Sequence, residues 1–253
     1  AAPPPGEKIA VNIGILGHID SGKTSLCRAL STVTSTASLD KHPQSQQRGI
    51  TLDLGFTSFS SPTPPHGQCV ANSEIQFCLV DCPGHASLIK TVLGGAQIID
   101  LCCLVLDAQK GMQTQSAECL VVAELLTDNL LVVVNKIDLV PEDAREEHLR
   151  KLVLKLRNTI AKTRFAPERV TFCCVSAVAK IGLEELIANV KNNLAKPVRG
   201  GSEQPFLFAF DHVFPIKGQG TVMTGTVLRG AVKPGALVDI PALGEDGRGK
   251  KVR

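Results

Sequence analysis

The 253-residue sequence has no tryptophan, no tyrosine and only nine phenylalanines. Readers of single-stranded nucleic acid stack bases on exposed aromatic faces, so this composition excludes that mode and leaves an RNA partner only backbone and shape recognition. A large charge imbalance is missing too. The 27 basic and 24 acidic residues give a net charge of +3, which does not by itself announce a polyanion-binding surface. No run of about 18 apolar residues occurs; the most apolar region, Ala96 to Leu106, is cut by Asp100, and no membrane partner is expected. The opening AAPPPGEKIA lacks a basic stretch leading into an apolar one, so no secretory signal is expected. C-x-x-C is absent and the nine cysteines are odd in number. With Cys102, Cys103, Cys173 and Cys174 inside apolar runs, buried reduced thiols in a cytoplasmic protein are expected rather than disulfides or a zinc site.

Hydrophobic residues at 43% against 20% charged supply enough apolar surface for a packed core. The run from Ile9 to Leu16 reads as a strand, breaks into the glycine-bounded segment Gly17 to Thr24, and continues as a helical pattern. Four more apolar runs, IQFCLVD, LCCLVLD, LLVVVN and VTFCCVS, alternate with helical patterns at Ser116 to Leu126, Glu142 to Lys162 and Leu183 to Leu194. Strands that are apolar throughout are buried on both faces, which predicts an α/β, doubly wound, mostly parallel sheet. From Ser58 to Gln68 a Pro-rich connection between two strands is expected. After Lys196 to Ser202 only short β-type segments follow, so residues 1–199 form one predicted domain and residues 200–253 the first part of an antiparallel β-barrel. That module is short for a self-sufficient barrel, which predicts truncation, and GEDGRGKKVR at the end reads as a solvated hairpin tip.

Gly17-x-x-x-x-Gly22-Lys23-Thr24 is the phosphate-loop pattern in its strand-to-helix context. The glycines let successive amides of Asp20, Ser21, Gly22, Lys23, Thr24 and Ser25 face phosphate oxygens at the positive end of a helix. Lys23 would neutralise β- and γ-phosphate charge, and the Thr24 hydroxyl would bind Mg²⁺. Asp81 closes the strand IQFCLV and would hold Mg²⁺ through water, while the Gly84 amide would donate to a γ-phosphate. Asn135-Lys136-Ile137-Asp138 follows LLVVV; a carboxylate at 138 suits guanine's N1–H and exocyclic N2 donors, a pair that adenine lacks. Ser176-Ala177 after VTFCCV would contact the same base edge. In Arg48-Gly49-Ile50-Thr51, Thr51 would complete the Mg²⁺ shell only with GTP bound. An isolated His reads as a packed or solvated imidazole, but His85 directly follows D-C-P-G, the place from which a side chain orients an attacking water, and it is expected to be catalytic. The helix from Arg145 to Arg164 reads as amphipathic with a solvated basic face, with RNA contact as the second reading.

Together, GHIDSGKT, RGIT, DCPGH, NKID and Gly218 to Gly225, GQGTVMTG, resemble the translational GTPases of the elongation factor Tu group across nearly the whole chain. The stretches Arg48 to Phe56, Asp81 to Ile89, Gly94 to Asp100 and Asp107 to Gln115 are most similar to the eukaryotic selenocysteine-specific branch of that family. The resemblance implies a P-loop GTPase domain and a cytoplasmic monomer that hydrolyses GTP to GDP. It implies selenocysteinyl-tRNA and the ribosome as partners at recoded UGA codons, with a selenocysteine-insertion-element binding protein as a further partner. It also implies that Ile19 and Ile50 form a hydrophobic gate in front of His85, and that Asp211 and His212 help line a selenocysteine pocket. Without the resemblance, Asp211 and His212 read as an ordinary strand and turn pair.

Two rivals remain at this point. A carrier of initiator tRNA like the γ subunit of initiation factor two shares the fold, and HASLI after DCPG together with the Asp-His pair argue against it. A P-loop kinase or regulatory switch without an RNA partner comes from another class; Asp138 speaks against ATP, and nucleotide titration would decide.

Overall fold

The computed structural model describes residues 8–30, 55–62, 74–81, 98–192, 201–216, 220–240 and 250–252. The chain divides into two compact units, Ala1–Pro197 and Val198–Arg253. In the first, the elements are β1 (Lys8–Leu16), α1 (Lys23–Leu30), β2 (Gly55–Pro62), β3 (Glu74–Asp81), β4 (Leu101–Asp107), α2 (Thr114–Leu126), β5 (Leu130–Asn135), α3 (Glu142–Ile160), β6 (Thr171–Cys174) and α4 (Leu183–Asn192). One six-stranded sheet runs in the order β2-β3-β1-β4-β5-β6. β1 is parallel to both β3 and β4, β4 to β5 and β5 to β6. The doubly wound, mostly parallel sheet expected from the apolar runs is therefore present.

One strand departs from the sequence reading. Residues 55–62 pair antiparallel with β3, from Gly55 opposite Asp81 to Pro62 opposite Glu74. The expected Pro-rich connection from Ser58 thus begins as an edge strand. The strand mixes Ser58, Ser60 and Ser61 with Phe56 and Phe59, and Pro62 is tolerated because it stands at the strand's end.

β4 and β5 are buried at every position, as strands covered on both faces must be. On one face Val11, Ile13, Ile15, Phe77, Leu79, Cys103, Val105, Leu131 and Val133 form a cluster with Leu26, Cys27 and Leu30 of α1 and Leu186 and Val190 of α4. The alternate residues Cys102, Leu104, Leu106, Val132 and Val134 are also buried, and α2 packs against β4 and β1. Where β1 and β4 begin to pair, the Asp100 carboxylate accepts the Asn12 amide at 2.8 Å, while the Asn12 side chain donates to the Ile98 carbonyl at 2.9 Å. Because β1, β3, β4, β5 and β6 are parallel, all five end on one edge of the sheet, where open α/β folds bind ligands.

The second unit holds the antiparallel pair β7 (Leu207–Ile216) and β8 (Gly220–Arg229), and a second pair, β9 (Val238–Ile240) with β10 (Lys250–Val252). The terminal basic residues expected in a solvated tip thus contribute a paired strand, Lys250 opposite Ile240. Among the described residues no helix is long and apolar enough to cross a membrane.

Candidate nucleotide-binding site

The chain leaves β1 at Leu16 and turns through residues 17–22 into α1. Gly17 has φ 150°, and a Cβ there would lie 2.2 Å from the Val105 carbonyl of β4; Gly22 has φ 91°, and its Cβ would lie 2.3 Å from Asn135 Nδ2. No L side chain fits either contact, so both glycines are required by close approach as well as by backbone conformation. Asp20 supplies a left-handed residue, φ 61°, without glycine, a conformation Asp tolerates better than most residues. The Leu26 amide bonds the Gly22 carbonyl at 2.9 Å and opens α1, whose first turn carries no acidic residue. No acid of its own first turn offsets the positive end that faces the loop.

Lys23 is buried, and its Nζ donates to the carbonyls of Gly17 and His18, each at 3.0 Å. The ammonium is thus held across the mouth of the loop. The Ser21 hydroxyl is buried and has no hydrogen-bond partner among the described residues. A buried lysine, a hydroxyl without a partner among the described residues and the N-terminal end of α1 converge on one loop, a set that suits a bound polyphosphate. Thr24 is half-buried in the first turn of α1, and Ser25 is exposed beside it.

One side chain links the glycine loop to the loop that follows β6. Asn135, at the end of β5, is 1% exposed. Its Nδ2 donates to the Ser21 carbonyl and its Oδ1 accepts the Ala177 amide, both at 3.0 Å. Three segments read separately from sequence are therefore tied through one amide. Lys136 follows with φ 64°, and its Nζ lies 2.9 Å from Asp107 Oδ2. Asp138 is exposed in the short turn Ile137–Leu139, anchored where the Ile137 amide meets the Val175 carbonyl at 3.3 Å. Ser176 Oγ accepts the Ala179 amide at 3.0 Å, and its backbone pairs twice with Ile181. The Ser176 hydroxyl and the Ala177 amide thus first shape the loop and fasten it to Asn135.

Asp107 was not singled out by sequence reasoning. Burial opposes its charge, but the hydrogen bond from Lys136, the amides of Gln109 and Lys110 and the Lys136 charge outweigh that and hold its carboxyl below the ordinary value. Gln115, also missed, accepts the Ile19 amide at 3.0 Å. The available signal was an acid closing a fully buried strand on the ligand-bearing edge of the sheet.

Ile50, Thr51, Gly84 and His85 lie outside the described residues. The backbone of Asp81 ends β3 in register with Ile15, two residues before Gly17, so the Mg²⁺ and phosphate motifs leave adjacent strands. Among the described residues no cluster of three His, Cys, Asp or Glu could hold a metal. Mg²⁺ in such a site needs none, since a hydroxyl, a carboxylate and phosphate oxygens provide its hard ligands. In the second unit, β7 and β8 slip register between Phe210, opposite Gly225, and His212, opposite Thr224. Asp211 is the extra residue of that bulge. A Cβ on Gly225 would lie 2.1 Å from the Ala209 carbonyl, so glycine is what lets β8 approach there.

A glycine loop capped by a buried lysine, set at the carboxyl edge of a parallel sheet and tied to a second loop bearing an exposed aspartate, defines a P-loop nucleotide-binding protein. The chain belongs to the family of the elongation factor Tu GTP-binding domain, whose model matches residues 8–196. It is 50% identical over 246 residues to a selenocysteine-specific elongation factor of Mus musculus, covering 94% of this chain and 42% of the relative. To the selenocysteine-specific elongation factor of Methanocaldococcus jannaschii it is 36% identical over 244 residues, covering 96% of this chain and 49% of the relative. The chain thus spans about half the length of these relatives. Among solved structures it is similar to a bacterial selenocysteine-specific elongation factor, EF-Sec, with TM-score 0.75 and 26% identity over 96% of this chain and 40% of that one. It is also similar to elongation factor SelB of Methanococcus maripaludis in complex with the GTP analogue GppNHp, with TM-score 0.69 and 31% identity over 92% of this chain and 44% of that one.

Proposed function

We propose that residues 1–199 bind GTP with Mg²⁺ and hydrolyse it to GDP, and that the whole protein delivers selenocysteinyl-tRNA to a ribosome paused at a recoded UGA codon. The observation that carries the nucleotide reading is the Asn135 bridge between Ser21 and Ala177. It puts the phosphate loop and the Asp138 turn on one rigid frame, as recognition of a single nucleotide requires. The choice of tRNA rests on the relatives' names and on the motifs that resemble theirs.

In this reading the amides of residues 20–25 and the Lys23 ammonium hold the phosphates, and Asp138 selects guanine. Thr24, Thr51 and Asp81 would hold Mg²⁺, which supplies charge neutralisation on the β- and γ-phosphates when bound. The Gly84 amide donates to the γ-phosphate. His85 orients the attacking water and is withheld behind Ile19 and Ile50 until the ribosome engages. Residues 200–253 begin a β-barrel in which Asp211 and His212 line the aminoacyl pocket; a bulge is a common device for re-aiming a side chain beside a site. The protein acts as a cytoplasmic monomer, with a selenocysteine-insertion-element binding protein as a further partner. Binding of the whole protein with GTP to one tRNA body charged with selenocysteine or serine tests the assignment. Preference for the selenocysteinyl form is expected, and equal affinity would refute it.

A further inference from the structure

We propose that Asp107 is a positioning residue of the nucleotide site: its carboxylate fixes Lys136 across the phosphate loop and so sets the base-reading turn in register with that loop. The proposal rests on the nucleotide reading above and deepens it. Asp107 ends β4 directly opposite Asn135, which ends β5, so parallel pairing delivers the acid beside residue 136. The two carboxylate oxygens have separate duties. Oδ2 takes the Lys136 ammonium at 2.9 Å. Oδ1 accepts the Gln109 amide at 2.8 Å and the Lys110 amide at 3.3 Å, which folds the chain after β4 into a tight turn closed by the Gly111 amide on the Asp107 carbonyl.

Lys136, like Asn135 before it, reaches the phosphate loop. A Cβ on Gly22 would lie 3.8 Å from Lys136 Cε, so the lysine stem lies over the last glycine of the phosphate loop. Its backbone is left-handed, a conformation that needs support from its surroundings in a non-glycine residue. The Asp107 side chain is only 6% exposed, against 27% for Lys136, so the acid is the fixed partner and the lysine the one being held. The same turn reaches the base side again through Gln109 Nε2 on the Leu139 carbonyl at 2.9 Å. Gln115, just beyond it, holds the Ile19 amide. The turn that Asp107 closes therefore leads into a segment that bonds both loops, through Gln109 and Gln115.

The test is Asp107→Asn, which keeps an Oδ1 acceptor for the two amides and removes the charge that holds Lys136. Dissociation constants and rates for fluorescent GDP and GTP are measured for the wild type, Asp107→Asn, Lys136→Met and the double variant. The proposal expects Asp107→Asn to release nucleotide about tenfold faster in the wild-type background and less than twofold faster in the Lys136→Met background, because the acid acts through the lysine. A defect of equal size in both backgrounds would assign Asp107 to general structure and overturn the proposal. Unchanged release in Asp107→Asn would overturn it as well, leaving the nucleotide reading intact, whereas a wild type that binds no guanine nucleotide would remove both. Should the asparagine variant not fold, Asp107→Ser, whose hydroxyl still accepts from the turn amides, takes its place in the cycle.

Discussion

Replacing Asn135 by alanine removes both ends of the bridge that joins the glycine loop at Ser21 to the loop at Ala177. The side chain is 1% exposed, and its two hydrogen bonds are each 3.0 Å. Truncation leaves the Ser21 carbonyl and the Ala177 amide buried without this partner. Each orphaned polar group costs about 1–3 kcal/mol, and partial relaxation brings the expected loss to about 2–4 kcal/mol. At about 2–4 °C per kcal/mol for a domain of this size, the melting temperature falls by roughly 5–15 °C. Urea unfolding with an unchanged m-value measures the loss, and guanine-nucleotide affinity falls in parallel because the loop is no longer tethered. A variant within about 0.5 kcal/mol of the wild type that binds nucleotide equally well would refute the bridge as the frame of the site. The geometry adds a coupled result. Gly22→Ala places a Cβ 2.3 Å from Asn135 Nδ2, so the pair Gly22→Ala with Asn135→Ala should lose less than the sum of the single losses.

Asp138→Asn exchanges an acceptor pair for a side chain that can also donate. With about 1.5–3 kcal/mol per charged hydrogen bond and two such bonds to guanine, GTP affinity should fall by about 10²–10⁴ while xanthosine triphosphate gains, as competition titration will show. His85→Ala should leave nucleotide affinity nearly intact and lower ribosome-stimulated phosphate release in the whole protein; unchanged release would remove His85 from catalysis. Burial pushes the Cys173 thiol up to about 11 and raises Cys103 as well, so neither is a ready thiolate at neutral pH. Mass-spectrometric mapping should find both unlabelled by a thiol reagent until the fold is opened. The lowered Asp107 pKa means that its stabilisation is complete above the ordinary carboxylate range and is lost as pH falls through the lowered value. The stability gap between the wild type and Asp107→Asn should be flat from about pH 8 to 5 and shrink below about pH 4; a gap that widens in acid would contradict the pair.

The parallel sheet was legible because β4 and β5 are apolar at every position, which only burial on both faces explains. The phosphate loop was legible because its spacing serves a backbone shape, and the two glycine contacts explain why that spacing admits few substitutes. Asp107 was not legible as a partner of Lys136. The two are 29 positions apart, and only the pairing of Asp107 with Asn135 across β4 and β5 brings them together. The role of Asn135 was half legible: its motif announced a nucleotide base, but its side chain points into the frame and binds two backbone groups. The edge strand at residues 55–62 was obscured because its serines and proline suit an antiparallel edge strand as well as a loop.

The most direct measurement is an equilibrium titration with fluorescent GDP and ADP in the presence of Mg²⁺. A guanine-reading carboxylate at position 138, framed by Asn135, predicts binding of the guanine nucleotide at least about a hundredfold tighter. Equal affinity for the two bases would contradict the account.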